Sequence, residues 1–235
     1  MGDLNKMSEP ATGKLYDLWS WFYDATFGAL VHSRHLRAMD ELRLSPGDRV
    51  LDLGVGTGMT LPRYPHDVRV VGMDLSAGML GKAKDKCEED GLDHVQLIQG
   101  DAMHPPFADA SFDHVLIAHT VSVVSEPNRL MQWARRLVKP GGSIILLNHF
   151  RSTNRVMAWL ETVFNPIFVK IGWRSDLSLE ECLAGVDLHV RYRFKSSAID
   201  VWQIVVLGTD PPRPQPETAD AQPAAASAHR SLATG

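Results

Sequence analysis

The sequence predicts an α/β sandwich of seven strands, mostly parallel, ending in an antiparallel hairpin, with helices on both faces. Three observations predict it. Several strand candidates are nearly continuous apolar runs, such as Val50-Leu51-Asp52-Leu53, Val115-Leu116-Ile117-Ala118 and Ile144-Ile145-Leu146-Leu147, the pattern of parallel strands covered on both sides. Helical patterns separate the early strand candidates, as crossover connections require. The last two β-rich runs lie too close together for a crossover, so they must pair antiparallel.

In chain order the strands fall at 49–55, 68–74, 95–101, 112–119, 143–150, 188–195 and 201–207. The spacing predicts helices near 59–64, 77–90 and 128–138. Lys139-Pro140-Gly141-Gly142 stops the last of these, and Ser196-Ser197-Ala198 lies near the hairpin turn. Residues 14–44 in front of the sheet read as helical. Residues 154–173 form an apolar insert. Residues 210–235 are rich in Pro, Ala, Ser and Thr and bury too little to offset their ordering entropy, so disorder is expected there. The chain therefore divides into an N-terminal helical segment (1–44), a central α/β domain (45–209) and a tail.

Composition narrows the function. The 235 residues carry a formal net charge of −4, so no global field attracts nucleic acid. Cys87 and Cys182 form neither a CxxC pair nor a zinc spacing and read as two buried thiols of a reducing compartment. No metal site is expected: His32 and His35 lack a third ligand and read as surface residues. The polar N-terminus lacks the apolar core of a secretory signal, Lys6 occupies the position where a myristoylation motif needs Ser or Thr, and no uncharged apolar run reaches about 18 residues, so no spanning helix is expected.

The cofactor signal is Val50-Leu51-Asp52-Leu53-Gly54-Val55-Gly56-Thr57-Gly58, a strand entering a glycine-rich turn and then a helix. Glycines there admit positive φ and close backbone approach to a ligand. Asp74, twenty residues after Gly54, ends the second strand, where a carboxylate can accept both ribose hydroxyls of an adenosine. A dinucleotide fingerprint would need its third glycine at position 59, which is Met59, and Asp52 beside the turn would repel a pyrophosphate while favouring a ligand with a positive amino group.

The stretch VLDLGVGTG resembles motif I of the class I S-adenosylmethionine (SAM) methyltransferases. So do Val71-Gly72-Met73-Asp74-Leu75-Ser76, Gly100-Asp101-Ala102, Phe107–Asp113 and Leu137–Gly142, in the order and spacing of that family. The resemblance covers about residues 45–150. It implies a Rossmann-like sheet whose C-terminal edge binds SAM and releases S-adenosylhomocysteine. By position, Gly54, Gly56 and Gly58 would cradle the methionine part, Asp74 would hold the ribose and Asp101 the adenine amino group. Ala102 and Met103 would flank the ring, and His119 would line the cleft between cofactor and acceptor. Asp52, Leu75, Met79 and Tyr16 are assigned to the same site. Asp113 reads as structural.

The acceptor is read outside that core. Leu15, Tyr16, Trp19, Phe22, Tyr23, Phe27, Leu30 and Val31 share one helical face, with Lys14, Arg34 and Arg37 flanking it. Two readings stay open: a helix docked on the sheet, or an interfacial helix that enters lipid and lids the site. The insert VMAWLETVFNPIFVKIGW, bordered by Arg151, Arg155 and Arg174, is either core or a second lipid contact. LYDLWSWFYDATFG, LDLGVGTG and HFRS resemble the bacterial phosphatidylethanolamine N-methyltransferases of the peripheral type, although quinone-biosynthesis methyltransferases share a similar YD…YD N-terminus. This resemblance implies sequential methylation of a phospholipid amine by a cytoplasmic protein peripheral to the inner membrane face, with Tyr16 and Tyr23 closing over the cofactor and Tyr16, Tyr23 and His119 taking the proton. It implies no nucleic acid and no obligate protein partner. The rival readings are a soluble small-molecule methyltransferase and a non-catalytic SAM-binding membrane protein.

Overall fold

The computed structural model describes residues 29–151, 177–195, 200 and 202–210. The aromatic face at 15–27, the insert at 154–173, the turn at 196–198 and residues 211–235 lie outside the described residues. The elements are α1 (Ala29–Asp40), β1 (Arg49–Leu53), a 3-10 turn (Leu61–Arg63), β2 (Arg69–Asp74), α2 (Ala77–Glu89), β3 (Val95–Gln99), β4 (Phe112–Ala118), α3 (Pro127–Leu137), β5 (Val138–His149), α4 (Leu179–Leu183), β6 (His189–Phe194) and β7 (Trp202–Gly208).

They build one seven-stranded sheet in the order β3-β2-β1-β4-β5-β7-β6. The first five strands are parallel, and β7 lies antiparallel to both β5 and β6. The strand order reverses between β1 and β4, so a crevice opens at their C-terminal ends, where ligands of such sheets bind.

The continuous apolar runs are explained by two cores, one per face. Val115 and Ile117 pack with Leu51, Leu130 and Met131 on the α3 side, while Leu116 between them packs with Val50, Ala38 and Leu80 on the α1 and α2 side. Ile144 and Leu146 divide from Ile145 and Leu147 in the same way. Most positions of the central strands therefore need an apolar side chain whichever way they point.

Local signals set the ends. Ser76 caps α2, its Oγ accepting from Met79 N at 3.2 Å. Pro127 opens α3, whose buried Leu130, Met131, Ala134 and Leu137 repeat at helical spacing. Helix α3 stops at Leu137 as predicted, but the strand expected from 143 already begins at Val138. Val138 pairs with Phe112, and the register shifts before Ser143 meets His114. Gly142 sits in that shift because a Cβ there would lie 2.4 Å from Asp113 O. The predicted helix at 59–64 is only the 3-10 turn Leu61–Arg63, and the short α4 carried too little periodicity to be read from sequence. Asp113 is structural as read: its carboxylate accepts from Arg49 N at 2.9 Å and from Lys139 Nζ at 2.8 Å. Cys182 is fully buried and Cys87 only partly so.

Candidate active site

The site is built from strand ends. Strand β1 ends at Leu53, and Gly54 turns the chain with φ +84. A Cβ on Gly54 would stand 1.9 Å from Thr120 Oγ1, so only glycine fits between β1 and the loop after β4. Gly56 also has positive φ, but a Cβ there would meet nothing within 4 Å, so its face is open for a ligand.

Asp74, ending β2, braces this turn. One carboxylate oxygen accepts from Gly56 N at 2.8 Å and the other from Ser76 N at 2.9 Å. The next residue, Leu75, is one of three large apolar side chains exposed among the described residues. Asp101 after β3 closes a small turn, accepting from Met103 N at 2.7 Å, with His104 Nδ1 at 3.3 Å from its other oxygen. Ala102 is half-buried, whereas Met79 and Met103 are buried, the latter within the core on the α3 side.

Asp52 is buried, 1% exposed. Thr60 Oγ1 and Tyr64 OH both donate to its Oδ2, at 2.6 and 3.0 Å. Burial raises its pKa to about 6, against the opposing pull of those two donors and with the help of the Asp74 charge. Such a carboxyl gains most from a cation placed beside it. Asp52 lines one pocket with Gly54, Gly56, Thr57, Met59, His35 and His119. Burial also pushes the Tyr64 hydroxyl well above its ordinary range.

His119 follows β4 directly. Its φ is +60, a conformation that non-glycine residues rarely hold, fixed here because its N–H donates to Leu147 O at 2.7 Å. Its Nε2 is covered and has no hydrogen-bond partner among the described residues. Burial lowers the ring pKa to about 3, reinforced by nearby His35 and Arg34, so the imidazole is neutral at working pH.

Sequence reasoning thus located Asp52, Gly54, Gly56, Gly58, Asp74, Leu75, Asp101, Ala102 and His119 along one edge of the sheet. Tyr16 and Tyr23 lie outside the described residues. It placed His35 wrongly: His32 is exposed, but His35 is 6% exposed and its ring lies 5.2 Å from that of His119. The reason is helical phase, since on α1 position 35 turns toward the sheet with Ala38, Met39 and Leu42. Thr60, Tyr64 and Thr120 were also missed. No periodicity marks them, because they act through single side-chain contacts across loops. Among the described residues no group of three metal-ligating side chains occurs and no helix is long and apolar enough to cross a membrane.

Residues 51–146 match the methyltransferase domain family. The chain is 37% identical over 185 residues to a phosphatidylethanolamine N-methyltransferase of Cereibacter sphaeroides, covering 78% of this chain and 90% of that protein. It is 29% identical over 173 residues to a demethylmenaquinone methyltransferase of Listeria welshimeri, covering 70% of this chain and 72% of that one. In fold it is similar to the geranyl diphosphate C-methyltransferase of Streptomyces coelicolor, solved with Mg2+, geranyl diphosphate and S-adenosylhomocysteine. The TM-score is 0.63 at 16% identity, covering 79% of this chain and 82% of that one.

Proposed function

The chain belongs to the class I SAM-dependent methyltransferases, and from that premise we propose that it methylates the amine of phosphatidylethanolamine, in successive rounds toward phosphatidylcholine. The observation that carries the lipid reading is the 37% identity extending over 90% of a phosphatidylethanolamine N-methyltransferase, against 29% over 72% for the quinone enzyme.

The residues present fit SAM. Asp52, buried and reluctant to ionise alone, suits the ammonium of the methionine part. The open face of Gly56 gives that part room beside the backbone, with Gly54 and Gly58 packing the turn against Thr120, Leu61 and Ala83, and the Asp74 carboxylate suits ribose hydroxyls. Exposed Leu75 and half-buried Ala102 would offer apolar contact to the adenine and Asp101 an acceptor for its amino group, with buried Met79 and Met103 assigned to the same site. When bound, SAM supplies an electrophilic methyl group on a sulfonium centre.

The chain's own work is positioning and desolvation. An amine in a partly dry pocket loses charge and offers its lone pair. In the first two rounds, while the neutral amine still carries an N–H, His119 in its Nδ1–H tautomer accepts that N–H at Nε2 and so aims the lone pair; the dimethylated amine of the third round has none to give. Held near pKa 3, it orients the amine rather than storing the proton, which leaves to water. Tyr16 and Tyr23 close the pocket, and their rings tolerate the growing quaternary cation. The aromatic face at 15–31 and the insert at 154–173 hold the protein peripherally on the inner membrane face, where its substrate lies.

The quinone reading is supported by demethylmenaquinone methyltransferases of Listeria and Staphylococcus, each 29% identical to this chain. Methyl-labelled SAM offered together with phosphatidylethanolamine vesicles and demethylmenaquinone decides. Label in mono-, di- and trimethylated lipid is expected. Label confined to the quinone overturns the proposal, and SAM binding without any transfer means a non-catalytic protein.

A further inference from the structure

The His119 ring is held by contacts that nothing in the methyltransferase motifs provides. His35 on α1 packs on it at 5.2 Å with a 57° tilt, and Trp202, opening β7, meets it edge-on at 6.2 Å and 88°. Trp202 is fixed in turn. The Arg34 guanidinium lies 4.5 Å over its ring, and Arg34 Nε donates to both oxygens of Asp200 at 2.9 Å. Asp200 Oδ1 also accepts from Trp202 N at 3.1 Å. Arg34 and His35 are consecutive on α1, so one helical turn supplies both the wall against His119 and the bolt behind Trp202. The pair is well protected, the Asp200 side chain being 1% exposed.

We propose that His35 is a positioning residue of this site: with the Arg34–Asp200–Trp202 bracket it holds the His119 ring in the one orientation that keeps Nε2 shielded from water until the acceptor amine takes its place beside it. The inference rests on the proposed role of His119. It assigns to α1, an element outside the SAM-binding motifs, a specific part in acceptor alignment. A histidine at a strained φ, with a covered nitrogen lacking a partner, would otherwise swing to find water. The ring wall prevents that swing. The charged groups that act on His119 are Arg34 and His35 from α1; Asp52 of β1 lines the same pocket, Asp200 stands one contact away behind Arg34 and Trp202, and His149 pairs with Trp202 in the β5–β7 register. Arg34 and His35 both disfavour a proton on His119.

Two variants of the full chain separate wall from charge. His35→Phe keeps an aromatic wall and removes the ionisable group. His35→Ala removes both. Ring NMR of histidine-labelled protein, which needs neither acceptor nor turnover, should show His119 neutral down to about pH 4 in the parent and in His35→Phe. In His35→Ala its titration should rise by one unit or more. With methyl-labelled SAM and phosphatidylethanolamine vesicles, His35→Ala should lose at least tenfold in kcat, with an acid limb entering the pH 5–7 range and the KM for SAM unchanged. His35→Phe should recover most of the rate. The proposal is overturned if His119 titrates identically in all three proteins. It is equally overturned if His35→Phe falls as far as His35→Ala while keeping the parent's His119 resonances. If the parent methylates no lipid, the functional reading fails instead, and the NMR titration still judges the positioning. Should His35→Ala not fold, His35→Phe alone decides by the same two readouts.

Discussion

The two ends of β4 carry histidines five residues apart with opposite environments. At the N-terminal end His114 is satisfied on both nitrogens, with Ser143 Oγ 2.6 Å from Nδ1 and Asp48 Oδ2 3.3 Å from Nε2. Its neighbour Asp113 is bridged to Lys139 and to Arg49 N. Burial acts to raise that carboxyl, but these partners outweigh it and hold it below the usual range. At the C-terminal end His119 is strained, dry and partnerless at Nε2 among the described residues, and Asp52 beside it is held toward its protonated form. The same strand thus runs from a closed polar network that ties the sheet together to a strained histidine whose covered Nε2 has no partner among the described residues.

Substitutions can break this contrast. The largest effect is expected from Gly54→Ala. Its Cβ would collide with Thr120 at a backbone angle unsuited to alanine, so stability should fall by about 2–4 kcal/mol. A thermal melt within a degree of the parent would show that the turn can relax away from Thr120.

Asp52 gives a pH signature. Its folded pKa of about 6 lies above the unfolded value of about 3.9, so the folded chain binds this proton more tightly. The associated stability, at most about 3 kcal/mol at 1.36 kcal/mol per unit, is fully present below about pH 4 and is lost as pH rises through 6. Asp52→Asn should flatten that slope in denaturant titrations from pH 4 to 7. SAM affinity should run the other way, strengthening through the same window as the carboxylate ionises. Calorimetry showing no pH dependence of SAM binding would remove Asp52 from the ammonium site.

Asp74→Ala removes the brace on Gly56 N and Ser76 N and the acceptor for ribose hydroxyls. SAM affinity should weaken by about 1–3 kcal/mol, several-fold or more. His114→Gln tests the other end of the strand. It should cost about 1 kcal/mol in a melt and leave methyl transfer at the parent's rate.

How much of this was legible from sequence follows from the same physics. The parallel strands and their order of appearance were readable because two-sided burial forces apolar runs, and the glycine turn with its carboxylates was readable because Asp52, Gly54, Gly56 and Asp74 sit on one short strand–turn unit and its neighbour. The start of β5 was not: Lys139-Pro140-Gly141-Gly142 carries stop signals that are compatible with a bulged strand once Phe112 supplies a partner. His35 was not legible either. Its burial comes from α1 docking near β7, a contact about 165 residues apart in sequence, as Arg34 and Asp200 illustrate. Thr60 and Tyr64 escaped for a similar reason, since only the folded turn brings them onto Asp52.

The most direct test of the contrast is the rate of label transfer from methyl-labelled SAM to phosphatidylethanolamine vesicles by the parent, His119→Gln and His114→Gln, measured side by side. Misaiming the acceptor should slow His119→Gln by on the order of 100-fold, while His114→Gln keeps pace with the parent. Equal rates in all three proteins, or a greater loss at His114, would contradict the assignment of methyl transfer to the C-terminal end of β4.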